Sequence, residues 1–323
     1  MHTLELTREK FAKLISCDRD EVAILCSVSD AISAIATSLP YNTKKNKIVF
    51  TDMVFPTVGH IWSAQTPFKN KFTIIQSSNG QIPIEKFAEA VTSDTLITCI
   101  PHVNYYNGLK QNISNIAEIV HGKGSLLFVD AYQSAGHIPI HVKEMDIDIL
   151  AAGMRKYMLG IPGVAFLYIK KELAEELPPR ITGWLGQTST STFDIYQSHL
   201  ATGARHFETG TPSFISVYAA HEALKLLLDI RIDKIEAYLS ELTSFILDHS
   251  QEQGLQLAGP VSTDNRTSLT SFYVKDTAKV QEVLKSRQIL VAARNDVIRI
   301  APHFYNLKDE IKLAINEIAN LTI

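Results

Sequence analysis

The stretch DILAAGMRKYMLGIPG, residues 148–163, decides the fold. An apolar run, 149–152, leads into a turn that carries Arg155 and Lys156, and a second apolar run, VAFLYI, follows at 164–169. This pattern predicts a buried strand, a cationic turn and another strand. A lysine where a buried strand ends is either an ordinary solvated turn residue or an amine that is held there to react.

Short apolar runs recur through the first half of the chain, and amphipathic segments separate them. One such segment, 113–121, places Ile113, Ile116 and Val120 on one face of a helix. Strands that alternate with helices predict an α/β fold with a mostly parallel sheet covered by helices on both faces. The apolar runs lie at 22–26, 47–50, 72–76, 96–100, 125–130, 148–152 and 164–169.

The two ends of the chain show different patterns. Residues 3–16 predict an amphipathic helix, and a helix after the strand at 22–26 is expected to begin with Ser29 as its N-cap. Beyond about residue 232 the order becomes helix, strand, helix, strand, helix, which is typical of an α+β unit. We therefore predict a large domain at 1–231 and a small C-terminal domain at 232–323.

Composition excludes several classes of protein. The chain has 323 residues, of which 46% are hydrophobic and 20% charged, as in an ordinary globular protein. A net charge of −3 gives no argument for binding nucleic acid or an anionic membrane, and no run of 18 apolar residues predicts a membrane span. The N-terminus lacks the apolar core of a signal peptide.

The cysteines and the motif search narrow the chemistry further. Cys17, Cys26 and Cys99 are an odd number without metal-ligand spacing, which predicts a reducing compartment, a cytoplasmic location and no metal site. The chain contains no G-x-G-x-x-G after a strand, no P-loop, no H-E-x-x-H, no C-x-x-C and no G-x-S-x-G. The common nucleotide, zinc and α/β-hydrolase sites are therefore disfavoured.

Polar residues follow several of the predicted strands. In an open α/β sheet, ligands bind outside the carboxyl ends of the strands, so these residues are expected to share one site. Taken singly, Asp130 could be a turn or helix-capping residue, and His102 could be a hydrogen-bonded core residue. The order His, then Asp-x-x-Gln, then Lys favours one constellation. Its members are Ser27, Ser29, His102, Asn104, Asp130, Gln133 and Lys156.

In this order of motifs the chain resembles the class V aminotransferase family of pyridoxal phosphate (PLP) enzymes. That family is the fold-type I group that includes cysteine desulfurases, kynureninase and isopenicillin N epimerase-like proteins. The resemblance runs from about residue 20 to the C-terminus. It implies a mostly parallel central sheet with helices on both faces, a smaller C-terminal α+β domain, and PLP as cofactor. The matching motifs are PHVNYYNG, FVDAYQSAGHIPI, DIDILAAGMRKYMLGIPGVAFLYI, RHFETGTP and IRIAPHFYN.

The resemblance implies the roles around the cofactor ring. Lys156 becomes the Schiff-base lysine, Asp130 the partner of the pyridinium nitrogen, and His102 the ring that stacks on PLP. Gln133 would donate to the phenolic oxygen. A carboxylate beside the ring nitrogen keeps it protonated and the ring an electron sink. A partly desolvated lysine near another cation has a lowered pKa, which suits a nucleophile or a base.

The resemblance also implies how phosphate and substrate are held. Ser29 matches the family's phosphate-binding threonine, at a helix N-terminus where amides and dipole favour an anion. Arg155 stands where the family often has histidine and is expected near the phosphate. Arg299 matches the arginine that grips the substrate carboxylate in a bidentate contact. The other residues that we assign to the cofactor are Ser27, Val28, Gly153 and Thr211, and the other substrate candidates are Arg294 and Asn104.

The segment 205–214, RHFETGTPSF, bears on assembly. Read alone, Thr211 and Pro212 form an ordinary entry turn before a helix. In the family that the chain resembles, this segment crosses a two-fold interface and its threonine donates to the phosphate of the neighbouring subunit. The resemblance therefore implies a homodimer with two shared sites.

The reaction that this resemblance implies is transamination of a small-molecule amino acid. In it, Lys156 removes the Cα proton and returns it to the cofactor. Two alternatives remain open. The first is an enzyme that expels a leaving group, as a C–S lyase or a kynureninase-like hydrolase does. The second is a PLP-binding protein with little activity. A desulfurase is disfavoured because the loop RNDVIR, 294–299, lacks the nucleophilic cysteine. The chain also begins almost at the first helix of the family, so we expect either a more open pocket or substrate contacts from elsewhere.

Overall fold

A computed structural model describes residues 1–41, 44–65, 67, 70–191 and 193–322. Helices and strands alternate through the first half of the chain, as the sequence pattern predicts. The helices are α1 His2–Leu14, α2 Val28–Ser38, α3 Pro56–Ser63, α4 Ile84–Ala90, α5 Ile113–His121, α6 Lys171–Glu176, α7 Phe214–Ile230, α8 Ile232–Glu252, α9 Thr277–Ser286 and α10 Lys308–Thr322. The strands are β1 Val22–Leu25, β2 Lys47–Thr51, β3 Lys71–Ile75, β4 Thr95–Pro101, β5 Leu126–Asp130, β6 Ile149–Gly153, β7 Ala165–Ile169, β8 Thr270–Tyr273, β9 Ala292–Arg294 and β10 Val297–Ile300.

Seven strands form the central sheet in the order β1-β7-β6-β5-β4-β2-β3. Strands β2 to β6 are parallel to one another, whereas β7 is antiparallel to both β6 and β1. The carboxyl ends of all strands except β7 therefore meet at one edge of the sheet, where β7 begins. This arrangement confirms the predicted mostly parallel sheet.

Helices cover both faces of this sheet, because alternate side chains of each buried strand enter two separate cores. In β1, Val22 and Ile24 join the core beneath α1, α4, α5 and α7, whereas Ala23 and Leu25 join the core beneath α2, α3 and α6. Phe11 of α1 stacks on Phe166 of β7 with ring centroids 4.1 Å apart. Burial of each such side chain contributes about 1.5–3 kcal/mol.

The start of α2 corrects one prediction from the sequence. Ser27, not Ser29, is the N-cap: its backbone is extended and its hydroxyl accepts a hydrogen bond from the Asp30 amide at 3.0 Å. Ser29 lies inside the first turn, where its hydroxyl lies 2.9 Å from that of Thr57. An N-cap needs non-helical backbone, which only the residue before the helix has.

A second, three-stranded antiparallel sheet of order β8-β10-β9 lies in the C-terminal part of the chain. It alternates with α9 and α10 as predicted, although the sequence pattern does not predict the three-residue β9. Helices α7 and α8 meet at Arg231, whose φ of +78° breaks the helical path. This break coincides with the boundary proposed between 1–231 and 232–323, which stays a prediction.

A charged network lies at the amino edge of the central sheet. The two ring nitrogens of His121 are each 2.8 Å from a carboxylate, of Asp146 and of Asp148. Lys170 contacts the same two carboxylates at 2.6 and 2.8 Å. The hydrogen bond to Asp148, with help from Asp146, raises the pKa of His121, and these cations hold the pKa values of both carboxyls below their usual range.

This network predicts a pH-dependent stability. Because the pKa of His121 is higher in the folded than in the unfolded state, its protonated ring stabilises the fold. This contribution is complete below about pH 6.5 and is lost as the pH rises through the folded-state pKa. The carboxylates contribute above about pH 4, and their contribution is lost as pH falls. His121→Gln should therefore lower the free energy of unfolding by about 1 kcal/mol at pH 5.5 and by less at pH 8.5.

Urea unfolding at the two pH values measures this difference. His60→Gln is the matched control, because His60 is exposed and lies outside the network. An equal loss of stability at both pH values in the His121 variant would contradict the proposed charge on this ring.

Candidate active site

A cavity of about 670 Å³ lies at the edge of the sheet where the strands end. Because the polar residues after each strand meet at this edge, residues distant in sequence share one space. Cys26 follows β1, Pro101 and Asp130 end β4 and β5, and Gly153 ends β6. Ala165 lines the same cavity from the start of β7.

Two helix N-termini face this cavity. Residues 26–29 line it from the start of α2, and Phe55 and Thr57 line it from the start of α3. The hydrogen bond between the hydroxyls of Ser29 and Thr57 joins the two helix starts. Free amides of first helical turns and the helix dipoles favour an anion, so this end of the cavity fits a phosphate.

Lys156 lies in the cavity in an uncommon backbone conformation. It opens a short 3-10 helix, Lys156–Met158, with a φ of +69°, a left-handed value that is rare outside glycine. Its Nζ lies 4.4 Å from the centre of the Tyr132 ring. Burial lowers the pKa of Lys156 to about 8; nearby Asp130 opposes this change, and three cavity arginines add to it. This lowered pKa gives the amine a far larger neutral fraction near neutral pH than a solvated lysine has, as a nucleophile or base requires.

Asp130 ends β5 as a buried carboxylate. One oxygen accepts a hydrogen bond from the Tyr132 amide at 2.9 Å, and no ion pair within 4 Å involves it among the residues that the structure describes. Burial raises the pKa of this carboxyl, while that hydrogen bond and Lys156 oppose the shift. A buried carboxylate is costly without a cation, so a protonated ring nitrogen suits this position.

Gln133 presents an unused donor to the same cavity. Its Nε2 is buried and has no hydrogen-bond partner in the described part of the chain. Leaving such a donor unpaired costs about 1–3 kcal/mol, so an acceptor is expected here. Around this one cavity, the free amide of Gln133 fits the phenolic oxygen of PLP. The Asp130 carboxylate, which has no ion pair in the described residues, fits the ring nitrogen, and the Lys156 amine fits the aldehyde.

Gly153 is required by the close packing of this site. A Cβ added at Gly153 would lie 2.6 Å from the ring of Tyr132, which itself lies against Lys156. The glycine thus allows the aromatic ring to approach the backbone of β6.

The three arginines that the sequence singles out all line the cavity, namely Arg155, Arg294 and Arg299. Arg299 donates from Nη1 to the Tyr105 carbonyl, and its buried Nε has no partner in the described residues. Burial and the neighbouring Arg294 lower the pKa of Arg299. A guanidinium with unused donors in a cavity fits a carboxylate.

His102 and Asn104 are not brought to this cavity. Pro101 and Val103 line it, and His102, between them, is not among the lining residues. Burial lowers the pKa of His102 to about 3, and its Nδ1 has no partner in the described residues. Asn104 lines a different cavity, of about 350 Å³, and its Oδ1 accepts from the Tyr106 amide at 2.8 Å. The stacking role of His102 and the substrate role of Asn104 therefore gain no support from this geometry.

Thr211 is exposed and lies outside the cavity of its own chain. The segment that follows it approaches the cavity wall, because the Ser216 hydroxyl donates to the Pro162 carbonyl at 2.7 Å. Pro162 and Gly163 belong to that wall. The contact of Thr211 with a neighbouring subunit's phosphate stays a prediction.

The structure adds lining residues that sequence reasoning missed. Phe55 and Tyr105 pack edge to face at 5.3 Å and form an aromatic wall. Pro56 at the first position of α3 signals a helix start after β2, and that signal could have identified Phe55 and Thr57. Tyr132 lies inside the D-A-Y-Q motif, but nothing in the sequence places its ring over Lys156.

No group of three or more His, Cys, Asp or Glu side chains among the described residues could hold a metal ion. No helix in this part of the chain has the length and apolarity to cross a membrane.

Comparison with known proteins places the chain among related sequences. The family model described as Aminotransferase class-V matches residues 1–315. An uncharacterized aminotransferase of Bacillus subtilis, YcbU, is 46% identical over 319 residues, which cover 99% of this chain and 84% of that protein. A probable cysteine desulfurase of Synechocystis is 27% identical and covers 97% of this chain and 79% of its own length.

A solved structure shares the fold. It is a variant of C-DES with glycine covalently linked to the PLP cofactor, and it superposes with a TM-score of 0.91 at 19% identity. The match covers 99% of this chain and 86% of that one. At this identity the likeness shows the fold alone.

Proposed function

The chain belongs to the class-V aminotransferase family, and from that premise we propose that it is a PLP enzyme that transfers the amino group of an amino acid. The observation that carries this proposal is Lys156, a buried amine of lowered pKa in one cavity with the buried carboxylate of Asp130. Chemistry at Cα needs an amine that attaches and then releases the cofactor and a carboxylate that holds its ring nitrogen protonated.

The residues around the cavity divide the binding of PLP among them. The starts of α2 and α3, with Arg155 beside Lys156, would hold the phosphate. Asp130 would bind the ring nitrogen, and the free amide of Gln133 would donate to the phenolic oxygen. When bound, PLP supplies an electron sink for the carbanion at Cα.

The protein's own side chains then govern the proton. Lys156 would be positioned to take the Cα proton, because its lowered pKa of about 8 raises the neutral fraction of its amine near neutral pH. The Tyr132 ring over Nζ limits where that amine can move. Arg299 fixes the substrate through its carboxylate, so that the same Cα–H bond faces Lys156 in each turnover.

The same site could instead expel a leaving group from the substrate side chain, as a C–S lyase or a kynureninase-like hydrolase does. The cysteine desulfurase relative keeps this alternative open. Persulfide formation needs a nucleophilic thiolate. Among the described residues that line the cavity, the one cysteine is Cys26, and burial and Asp30 raise the pKa of its thiol, which disfavours this reaction. A PLP-binding protein with little activity is the remaining alternative.

A panel of single-turnover reactions tests this proposal. Purified holoenzyme is mixed with individual amino acids, and the products are identified as keto acid, sulfide or alanine. A keto acid formed in step with loss of the visible absorbance of the cofactor supports transamination. Formation of sulfide or alanine would contradict transamination and support the lyase or hydrolase alternative. Amino-acid binding without any product would support the PLP-binding protein with little activity.

We also propose a homodimer and a cytoplasmic location. Thr211 is exposed, and the neighbouring Phe214, Ile215 and Tyr218 at the start of α7 expose 41%, 76% and 58% of their surface. An apolar patch of this kind is typical of a protein interface, and a two-fold axis would let each subunit give and receive the same contact. All three cysteines are free, which suits a reducing compartment.

The shared-site proposal makes a prediction for Thr211→Val. Loss of a hydrogen bond to a charged phosphate should weaken PLP binding by about 1.5–3 kcal/mol without unfolding the chain. Equilibrium dialysis of PLP measures the affinity, and sedimentation measures the assembly. Thr263→Val, at another exposed threonine, is the matched control. A monomer that holds PLP tightly at micromolar protein concentration would refute the shared site.

A further inference from the structure

The cavity around Lys156 contains one arginine more than the phosphate of PLP and a single substrate carboxylate would engage in the proposed function. We infer that the substrate is an amino acid whose side chain carries a second anionic group, such as a carboxylate. Arg294 binds that group, and Arg299 binds the α-carboxylate. This inference rests on the proposed function, because it names the substrate class of the same site.

The two arginines share one face of the small sheet. Strands β9 and β10 pair antiparallel with Arg294 opposite Val297, and Arg299 lies two residues farther along β10. Side chains two residues apart on a strand point the same way, so both arginines lie on the face of Val297. Such diagonal neighbours are roughly 7–8 Å apart, a distance that two long side chains easily bridge toward one small molecule.

Contacts with the large sheet's loops orient this face toward the cavity. Arg299 donates to the carbonyl of Tyr105, and Ser271, opposite Arg299 on β8, donates to the carbonyl of Tyr106. Both arginines line the cavity together with Lys156, and both help to lower the pKa of that lysine. The second arginine is therefore a part of the site and not of the outer surface alone.

In the proposed function Arg294 is the cavity-lining arginine without an anionic partner. Four side chains that line the cavity are cationic, Arg155, Lys156, Arg294 and Arg299, and one lining carboxylate opposes them, Asp130. In the proposed function Arg155 meets the phosphate, Lys156 the aldehyde, Asp130 the ring nitrogen and Arg299 the α-carboxylate. None of the three arginines forms an ion pair elsewhere in the described residues. A second anionic group on the substrate would give Arg294 a partner.

Binding of unreactive acids to the holoenzyme tests the inference without turnover. Glutarate and succinate serve as dicarboxylate probes and butyrate as the monocarboxylate probe, with affinities measured by calorimetry. The wild type should bind a dicarboxylate at least 10-fold more tightly than butyrate. Arg294→Gln should weaken dicarboxylate binding by about 10- to 100-fold and butyrate binding far less. Arg299→Gln should weaken both probes.

The control is Arg180→Gln, which removes an exposed arginine outside the cavity and should leave both affinities unchanged. A wild type that binds butyrate as tightly as glutarate would overturn the inference. So would an Arg294 variant that weakens both probes equally, since that result makes Arg294 a second ligand of one carboxylate.

The half-reaction with amino acids separates this inference from the proposed function. Glutamate or aspartate should convert the cofactor at least 10-fold faster, per concentration, than alanine or norvaline do. Faster conversion by the monocarboxylic amino acids would reject the inferred substrate class and leave the proposed aminotransferase function intact. If the purified protein binds no PLP at all, the proposed function itself fails.

Discussion

Lys156→Ala is expected to reduce the rate of amino-group transfer by at least about 10²–10⁴-fold, the range that a positioned acid–base group contributes. The variant should also lose the absorbance band that PLP shows when an amine of the protein binds it covalently. The physical reason is that a buried amine with a pKa of about 8 is the attaching group and the base at once. No other lysine in the described residues lines the cavity.

Lys123→Ala is the matched control, because Lys123 is exposed and does not line the cavity. It should retain both the band and the rate. An alanine variant of Lys156 that keeps the band, or that turns over within 10-fold of the wild type, would contradict the role of this lysine.

Asp130→Asn is expected to lower the rate by about 10²–10³-fold, as loss of a preorganised electrostatic contact at the reacting group does. The amide keeps the shape of the side chain but cannot hold a proton on the ring nitrogen, so the ring withdraws electrons less well. PLP should still bind, because the phosphate end and Lys156 are untouched.

Turnover rates and PLP affinity, measured on the same preparation, separate these two effects. Asp264→Asn, at an exposed aspartate outside the cavity, provides the control. Near-normal turnover in the Asp130 variant would reject its pairing with the ring nitrogen, whereas loss of PLP would make it a binding residue only.

Several residues that line the cavity could be predicted, because the ends of the strands can be recognised in the sequence. Asp130 and Lys156 follow apolar runs, and the parallel sheet brings the ends of such runs together. Gln133 could be placed through the D-x-x-Q spacing and the resemblance to the family. The lowered pKa of Lys156 follows from burial and neighbouring arginines, both of which the sequence analysis had already implied.

Other features depend on geometry that the sequence does not display. That His102 does not line the cavity depends on the path of the backbone just after β4, which no pattern of residue types reveals. That Arg294 shares a face with Arg299 depends on pairing with β9, a strand too short to recognise. The N-cap at Ser27 instead of Ser29 depends on backbone dihedrals within a run of similar polar residues.

Reduction of the holoenzyme with borohydride, followed by peptide mapping, tests the central claim most directly. Borohydride fixes PLP to whichever lysine holds it, so the modified residue can be read from the mass of its peptide. Lys156 should carry the label in a one-to-one ratio with the chain, and no other lysine should be modified to a comparable extent. A label on a different lysine, or none in a protein that shows the absorbance of bound PLP, would contradict the assignment.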